Sequence, residues 1–293
     1  MRVTAEGYAR VVALGKNVAW IVFEEESTPR LASLKRAAGK REMLAPGDLV
    51  RARRLDGDRA IVDAREPRTS VLQRRQGGRT KVMAANVDTL ATVSALANPP
   101  LRLALLDQLL AFAELHELQA LVVLTKPDLD AGATGPAVET LYRRLGYASL
   151  IVNPKAGDNV DALRDRLAGR HALLTGVSGV GKSSLFRALG GEAHVGEVSR
   201  HGLGRQTTTA ARLYRTPGGF LIDSPGIVEF GLGTMAPAEL TEAFREFREP
   251  SRECRFSDCT HLREPGCGVR AALDSGTIAG SRYESYARIL GGC

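Results

Sequence analysis

A glycine-rich turn in the middle of the chain constrains the fold more than any other feature. Residues 171–175 (HALLT) form an apolar run typical of a buried strand, and a helical pattern (KSSLFRALG) begins at Lys182. Between them, Gly176-x-x-x-x-Gly181-Lys182-Ser183 matches the strand–turn–helix pattern of a phosphate-binding P-loop. Its glycines let successive backbone N–H groups point at phosphate oxygens, and the helix N-terminus adds partial positive charge. The sequence therefore predicts an α/β domain that binds a nucleoside triphosphate.

The P-loop pattern assigns a role to its polar residues. We expect the Lys182 ammonium to reach the β- and γ-phosphate oxygens, where it also acts in catalysis, and the Ser183 hydroxyl to hold Mg²⁺. A tight strand-to-helix turn without a ligand is the alternative, and the complete match to the motif disfavours it. The predicted nucleotide-binding residues of this loop are Gly176, Val177, Ser178, Gly179, Val180, Gly181, Lys182, Ser183 and Ser184.

Two segments downstream of the P-loop have the composition of nucleotide switches. Asp223 and Gly226 form a D-x-x-G sequence at the end of the apolar strand FLID. An aspartate there can hold the hydration shell of Mg²⁺, and the glycine amide can contact the γ-phosphate. Between the P-loop and this strand, GRQTTT (204–209) offers hydroxyls for a loop that closes over the metal. We expect Thr208 to be a magnesium ligand and to act in catalysis; a polar loop without function is the alternative.

A candidate base-reading segment lies upstream of the P-loop. Thr125-Lys126-Pro127-Asp128 ends the apolar strand ALVVLT, which is the edge where open α/β sheets bind ligands. The Asp128 carboxylate can accept both N1–H and N2–H₂ of guanine, a donor pair that adenine lacks. The Lys126 stem can lie along the base and brace the P-loop. The resulting order (base reader, P-loop, switch, D-x-x-G) is a circular permutation of the usual GTPase order.

The first 66 residues have a different pattern. The segments GYARVVAL, NVAWIVF, GDLVRAR and RAIVDA alternate as short strands, punctuated by Gly, Asp and Pro. About five strands in a segment of this length favour a small barrel such as an OB-fold, and an SH3-like barrel would give much the same pattern. From Arg30 to Lys81 there are fifteen Lys/Arg and six Asp/Glu, a balance of +9 within a chain of net charge +7. This excess favours a polyanion as a partner over a merely solvated surface, and the few aromatic residues make phosphate contact a better guess than base stacking.

Three cysteines near the C-terminus indicate a metal site. Cys254, Cys259, His261 and Cys267 supply a Cys₃His set, which is sufficient for a closed tetrahedral structural Zn²⁺ site. Four protein ligands leave no open position, so a catalytic zinc is not expected. Idle buried cysteines are the alternative. Four cysteines in 293 residues are too few for a secreted disulfide framework.

In combination, these motifs resemble one known family over essentially the whole chain: the circularly permuted, small-ribosomal-subunit-dependent GTPases (the RsgA/YjeQ family). The segments that carry the resemblance are MAANVDTLATVSAL, TKPD, GVSGVGKSSL, GRQTTT, DSPG and CRFSDCTHLREPGCGV. The resemblance implies an N-terminal OB-fold, a permuted GTPase domain and a C-terminal zinc domain. It also implies a GTPase that assists late maturation of the small ribosomal subunit and hydrolyses GTP to GDP when bound to it.

Three positions depart from the family pattern. Thr125 stands where the family usually has asparagine. Val152-Asn153-Pro154-Lys155 stands where Ser-Ala-Lys is usual, and Pro154 lacks the N–H that would contact guanine O6. Gln206 occupies the position of a family histidine thought to orient the attacking water. Glutamine can orient water, so Gln206 is a catalytic candidate that cannot take up a proton.

The sequence thus predicts a multi-domain protein: an OB-fold barrel for RNA (1–66), a circularly permuted P-loop GTPase domain (67–233) and a helical zinc-binding domain (234–293). The expected cofactors are GTP/GDP, Mg²⁺ and one structural Zn²⁺. The expected partners are the small ribosomal subunit and its rRNA, for a cytoplasmic monomer without membrane contact. One alternative is an RNA-binding assembly protein that binds GTP but hardly hydrolyses it; another is a P-loop ATPase or kinase.

Overall fold

The computed structural model describes residues 3–15, 18–26, 28–34, 44–76, 79–190, 212–223 and 235–291. Within these ranges the chain forms a closed barrel, a two-stranded hairpin, a six-stranded sheet with helices, and a C-terminal helical unit. The switch segments around Gln206, Thr208 and Gly226 lie outside the described residues.

The N-terminal strands close into a barrel. Alternating apolar residues such as Val11, Ile21 and Val50 fill its interior. The strand order is β1-β2-β3-β5-β4, and β3 runs parallel to β5, which is the OB-fold arrangement and decides against the SH3-like alternative. The third strand was not among the predicted segments. The strands are β1 (Val3–Leu14), β2 (Val18–Phe23), β3 (Arg30–Leu34), β4 (Leu49–Leu55) and β5 (Arg59–Arg65).

A hairpin that the sequence patterns did not reveal follows the barrel: β6 (Val71–Gln76) and β7 (Arg79–Ala85), paired antiparallel. Asn86, at its end, connects three segments. Its side-chain oxygen accepts the Thr69 amide at 2.8 Å, and its Nδ2 donates to the Gly47 carbonyl at 3.0 Å. These bonds hold the barrel against the start of the following sheet.

The central domain is a six-stranded sheet in the order β10-β9-β8-β11-β13-β12. All neighbouring strands are parallel except β12, an antiparallel edge strand that the sequence patterns did not predict. The apolar runs predicted as strands are buried because helices cover both sheet faces. The strands are β8 (Thr89–Ala95), β9 (Gln119–Thr125), β10 (Ala148–Val152), β11 (His171–Thr175), β12 (Arg212–Thr216) and β13 (Gly219–Asp223).

Among the described residues, four α-helices belong to this domain and four to the C-terminal unit. None of the helices in the described part of the chain has the length and apolar character needed to span a membrane. The domain helices are α1 (Leu103–Leu115), α2 (Thr134–Arg144), α3 (Val160–Leu167) and α4 (Lys182–Ala188). The C-terminal helices are α5 (Pro237–Ala243), α6 (Arg248–Ser251), α7 (Gly268–Asp274) and α8 (Gly280–Leu290).

The C-terminal unit packs on α1 through a buried charge network. Arg282 of α8 is 1% exposed and donates to Asp107 of α1 at 2.5 Å and to Glu246 at 2.6 Å. The Tyr142 hydroxyl of α2 also donates to Asp107, at 2.6 Å. The Arg282 guanidinium lies over the Phe244 ring, 4.2 Å from its centre. These bonds join α1, α2 and α8 through Asp107 Oδ1, whereas the other carboxylate oxygen, Oδ2, is buried without a hydrogen-bond partner in the described residues.

Candidate nucleotide site and metal centre

The P-loop occupies the turn between β11 and α4. Gly176 has φ +152°, and a Cβ there would lie 2.2 Å from the Val93 carbonyl oxygen of the neighbouring β8. Only glycine fits so close to another backbone. Gly179 and Gly181 also have positive φ, of +83° and +98°. The glycines of the motif are therefore required by the path of the loop.

Lys182 is folded over this loop. Its Nζ donates to the carbonyl oxygens of Gly176 at 2.6 Å and Val177 at 2.9 Å. The ammonium group thus lies against the loop backbone, where a P-loop lysine meets phosphate. Ser183 follows on the first turn of α4 and is exposed, so its hydroxyl is accessible to a metal ion. Both geometries fit the predicted roles.

The base-reading segment and the P-loop lie at the same edge of the sheet, because β9 and β11 are both parallel to β8. Thr125, the last residue of β9, is fully buried, and its hydroxyl donates to the Val180 carbonyl at 2.5 Å. The sequence predicts that Lys126 braces the P-loop; in the structure Lys126 Nζ donates to the Asn98 carbonyl, and the bracing role stays a prediction. The threonine hydroxyl therefore ties the base reader to the P-loop.

Asp128 lies in a 3₁₀ turn, Pro127–Leu129, directly beyond β9. The chain enters this turn through Lys126 in a left-handed conformation, with φ +59°. The Asp128 side chain is exposed at the carboxyl edge of the sheet. A carboxylate in this position is accessible to a ligand bound beside the P-loop, so the base-reading role of Asp128 stays a prediction that the geometry permits.

The loop after β10 contains a feature that the motif comparison missed. The Asn153 side-chain oxygen accepts the amides of Lys155 at 3.2 Å and Ala156 at 3.4 Å. The two amides that follow Pro154 are therefore directed at Asn153. A guanine O6 would have to compete with Asn153 for them. The Asn-Pro dipeptide, a common turn signal, was the indication available in the sequence.

Asp223 is the last residue of β13, and its backbone pairs with Leu174 of β11, next to the P-loop. This register places the D-x-x-G sequence at the same edge of the sheet as the phosphate site. Ser183 is the proposed magnesium ligand that the structure describes. The other proposed magnesium ligand, Thr208, lies outside the described residues, as do Gln206 and Gly226.

The Cys₃His set comes together in the C-terminal unit. The ligand atoms of Cys254, Cys259, His261 and Cys267 all lie within 4.8 Å of one another. Cys254 Sγ is 3.9 Å from Cys267 Sγ, and each of these sulfurs is 3.5 Å from His261 Nδ1. Tetrahedral zinc with ordinary Zn–S and Zn–N bonds requires separations of about 3.8 Å and 3.6 Å. The donor set therefore fits one zinc ion.

The surroundings of the cluster determine how its ligands would bind a metal. Burial raises the pKa of the Cys259 thiol to about 12, so this thiol is neutral near pH 7 and would lose its proton on binding a cation. Glu264 fixes the ligand loop by accepting the Thr260 hydroxyl at 2.6 Å and the Thr260, Leu262 and Arg263 amides at 3.0–3.1 Å. These bonds lower the pKa of Glu264 to about 2. Sequence reasoning had not singled out Glu264.

A protein-family model described as RsgA GTPase matches residues 65–233, which is more than half of the chain. The chain belongs to the RsgA GTPase family. Among curated RsgA relatives, the "small ribosomal subunit biogenesis GTPase RsgA" of Sodalis glossinidius is 46% identical over 80% of this chain and 70% of its own length. The protein of the same name from Yersinia enterocolitica is 43% identical over 79% and 69%.

Two solved structures share the RsgA fold. YjeQ from Thermotoga maritima is 30% identical with a TM-score of 0.73, covering 99% of this chain and 100% of that one. YloQ, a circularly permuted GTPase, is 24% identical with a TM-score of 0.71, covering 98% and 94%, and supports the fold alone. The predicted family, three-part fold class and GTP-hydrolysing activity are confirmed. As a member of the RsgA GTPase family, the protein uses GTP/GDP and Mg²⁺.

Proposed function

We propose that this RsgA GTPase binds the small ribosomal subunit, assists its late maturation and hydrolyses GTP to GDP with ribosome-stimulated turnover. The ribosomal part of the proposal is supported by the relatives in Sodalis and Yersinia, which carry the name small ribosomal subunit biogenesis GTPase. The observation that carries the GTPase part is the bond from Thr125 to Val180, which joins the base reader to the P-loop in a permuted chain. We propose that the protein acts in the cytoplasm, where it would meet the small ribosomal subunits that it binds.

In the proposed site, Lys182 exchanges its bonds to the Gly176 and Val177 carbonyls for phosphate oxygens of the nucleotide. Asp128 accepts the guanine N1–H and N2–H₂ groups. Ser183, with Thr208 and the Asp223-x-x-Gly226 segment, would hold Mg²⁺, which would stabilise charge on the transferred phosphoryl group. Gln206 would orient the attacking water. The bound zinc would serve structure, through Cys254, Cys259, His261 and Cys267.

We propose that rRNA contacts one part of the barrel surface rather than its whole set of arginines. Arg53 pairs with Asp63 at 2.7 Å, and Arg54 pairs with Glu26 at 2.8 Å. These two guanidiniums are already neutralised by carboxylates. Arg51 also pairs with a carboxylate, Glu66, at 3.0 Å, but its side chain is 63% exposed, against 26% for Arg53 and 14% for Arg54. It lies beside Tyr8, its cross-strand partner, which is 49% exposed. A cation beside an exposed aromatic ring suits phosphate contact and base stacking.

The zinc module would supply a second RNA contact. The Arg255 guanidinium lies 5.5 Å from the centre of the Phe256 ring, and that side chain is 40% exposed. We propose a division into an RNA-binding barrel (1–66), a permuted GTPase domain (67–233) and a zinc domain (234–293), acting as a monomer. In this arrangement, one RNA-binding domain precedes the GTPase domain along the chain and the other follows it.

The test is GTP turnover by the full chain with and without purified small ribosomal subunits. We expect subunits to increase turnover of the wild-type protein, and Lys182→Ala to abolish it while leaving the circular dichroism spectrum unchanged. Arg144→Ala, at an exposed position on α2, is the matched control and should behave like the wild type. Turnover that subunits fail to raise would contradict the ribosomal proposal, and wild-type turnover by Lys182→Ala would contradict the site assignment.

A further inference from the structure

A cavity of about 200 Å³ lies between the barrel and the GTPase domain. It lies at the amino-terminal ends of β11 and β13, opposite the edge that carries the P-loop. Arg10 of β1 and Glu24 line it from the barrel, and His171 and Arg215 line it from the GTPase domain. The turn between β12 and β13 and the Phe220 ring complete its wall. The nucleotide site therefore accounts for none of these residues.

Two guanidinium groups of this cavity are held in place, Arg215 by hydrogen bonds to the barrel and Arg10 by a hydrogen bond within the barrel and a contact with the Phe220 ring. Arg215 donates through Nη1 to the Glu24 carbonyl at 2.6 Å and through Nη2 to the Phe23 carbonyl at 2.5 Å. Arg10 donates through Nη1 to the Gly47 carbonyl at 2.9 Å, and its guanidinium lies 4.5 Å from the centre of the Phe220 ring. These contacts position both guanidinium groups at the cavity wall, so an anion would not need to move either side chain into the cavity.

The charges in the cavity are incompletely balanced. Within the described residues, no carboxylate oxygen lies within 4.0 Å of either guanidinium, although Glu24 is nearby. Burial lowers the pKa of Arg10, and the like charge of Arg215 lowers it further, while Glu24 and Asp48 act against this. Asp48 is itself paired with Arg68 at 2.7 Å. The partly buried Arg10 thus lacks a counter-ion of its own.

We propose that this cavity binds an oxyanion of the phosphate class between Arg10 and Arg215. Arginine forks bind phosphate oxygens by charge-assisted hydrogen bonds, and two of them converge here from different domains. Such an anion bridges the barrel and the GTPase domain. It comes either from an RNA backbone or from free phosphate, and the inference does not depend on the ribosomal proposal.

The test is a titration of the full chain with inorganic phosphate, in which the NMR signal of the His171 ring is monitored. A non-hydrolysable GTP analogue with Mg²⁺ fills the P-loop first, and chloride keeps the ionic strength constant. His171→Gln assigns the signal among the five histidines. We expect phosphate to cause a saturable shift of the His171 signal. If neither phosphate nor RNA shifts this signal, the proposal is overturned.

Two variants with opposite expected effects make the test specific. Arg215→Gln should weaken phosphate binding about tenfold or more, because it removes one charged donor group. Glu24→Gln should tighten binding about threefold, because it removes a repelling carboxylate at an exposed position. Arg144→Gln on α2 is the control and should change nothing. Equal phosphate affinities in wild type, Arg215→Gln and Glu24→Gln would refute the site. If one of the two variants proved unstable, the comparison of wild type with the other variant would still decide.

A second titration with a single-stranded RNA oligonucleotide distinguishes the two sources. If an RNA phosphate is the natural occupant, micromolar RNA shifts the His171 signal, and inorganic phosphate competes with it. If free phosphate is the occupant, RNA leaves the signal unchanged while phosphate shifts it. Either result supports an oxyanion site and identifies its ligand.

Discussion

Replacing Arg282 with methionine should weaken the attachment of the C-terminal unit more than any surface substitution. Arg282 is 1% exposed, Asp107 is fully buried, and Glu246 is 9% exposed. The substitution leaves two carboxylates in a buried site without their cation, since methionine supplies similar volume but no donor. Breaking a buried ion pair in this way costs about 3 to 5 kcal/mol. That is a large part of the 5 to 15 kcal/mol that typically stabilises a domain.

The assay is urea unfolding monitored by circular dichroism. Limited proteolysis tests the C-terminal unit separately. Arg288→Met is the matched control, because Arg288 lies on the same helix and is exposed. Losing an exposed contact there should change the unfolding free energy by less than about 1 kcal/mol. The C-terminal unit of Arg282→Met should be cleaved or should unfold before the rest of the chain, so the first transition is the one to compare.

A double variant separates the charge effect from lost packing. If the cost comes from stranded carboxylates, adding Asp107→Asn to Arg282→Met should recover part of the loss, with a coupling energy of about 1 to 3 kcal/mol. If Arg282→Met and Arg288→Met are equally stable, the buried network does not hold the two units together, and the reasoning fails.

Three further expectations concern single positions. Asp128→Asn should shift nucleotide preference from GTP towards xanthosine triphosphate, because it exchanges an acceptor for a donor; competition binding with both nucleotides checks this, and an unchanged preference would remove Asp128 as base reader. Thr125→Val should lower the free energy of unfolding by about 1 to 3 kcal/mol, because it leaves the buried Val180 carbonyl without its donor. Nucleotide affinity measured by calorimetry should also fall. Wild-type affinity and stability would show that the bond from Thr125 to Val180 is dispensable. Burial and Arg10 hold the pKa of His171 below its ordinary 6.5, so the unfolded state takes up the proton first and stability should fall as pH drops below about 6.5; His171→Gln should lessen this loss in urea unfolding at pH 7 and 5.5, and an identical loss would place its cause elsewhere.

The parts of the fold that sequence predicts well are those with strong local patterns. The five parallel strands of the sheet are apolar runs, and α4 begins at Lys182, where the helical pattern after the P-loop predicts it. The antiparallel strand β12 and the hairpin β6–β7 carry many charged residues, including Arg74, Arg75 and Lys81. These strands form because neighbouring strands pair with them, and their own sequences lack the alternation of apolar and polar residues that predicts a strand.

The candidate site divides in the same way. Motif spacing located Lys182, Asp128 and the zinc ligands, because each chemistry needs those residue types at fixed intervals. The contacts that connect the motifs span long separations: Thr125 meets Val180 across 55 residues. Arg10 and Arg215 come together only because the barrel docks on the sheet. Such contacts depend on tertiary structure, for which one sequence offers no local signal.

The contact between Asp107 and Arg282 joins residues 175 positions apart, and this separation has a consequence for biosynthesis. At 5 to 20 residues per second, about 9 to 35 s pass between synthesis of the acidic partner and synthesis of the basic one. During that interval the face of α1 that α5 and α8 later cover, including Ala111, is open to solvent. The nascent GTPase domain therefore presents an uncovered apolar surface until α8 has been made. A member of a ribosome biogenesis family is thus exposed to misassembly on the ribosome that synthesises it.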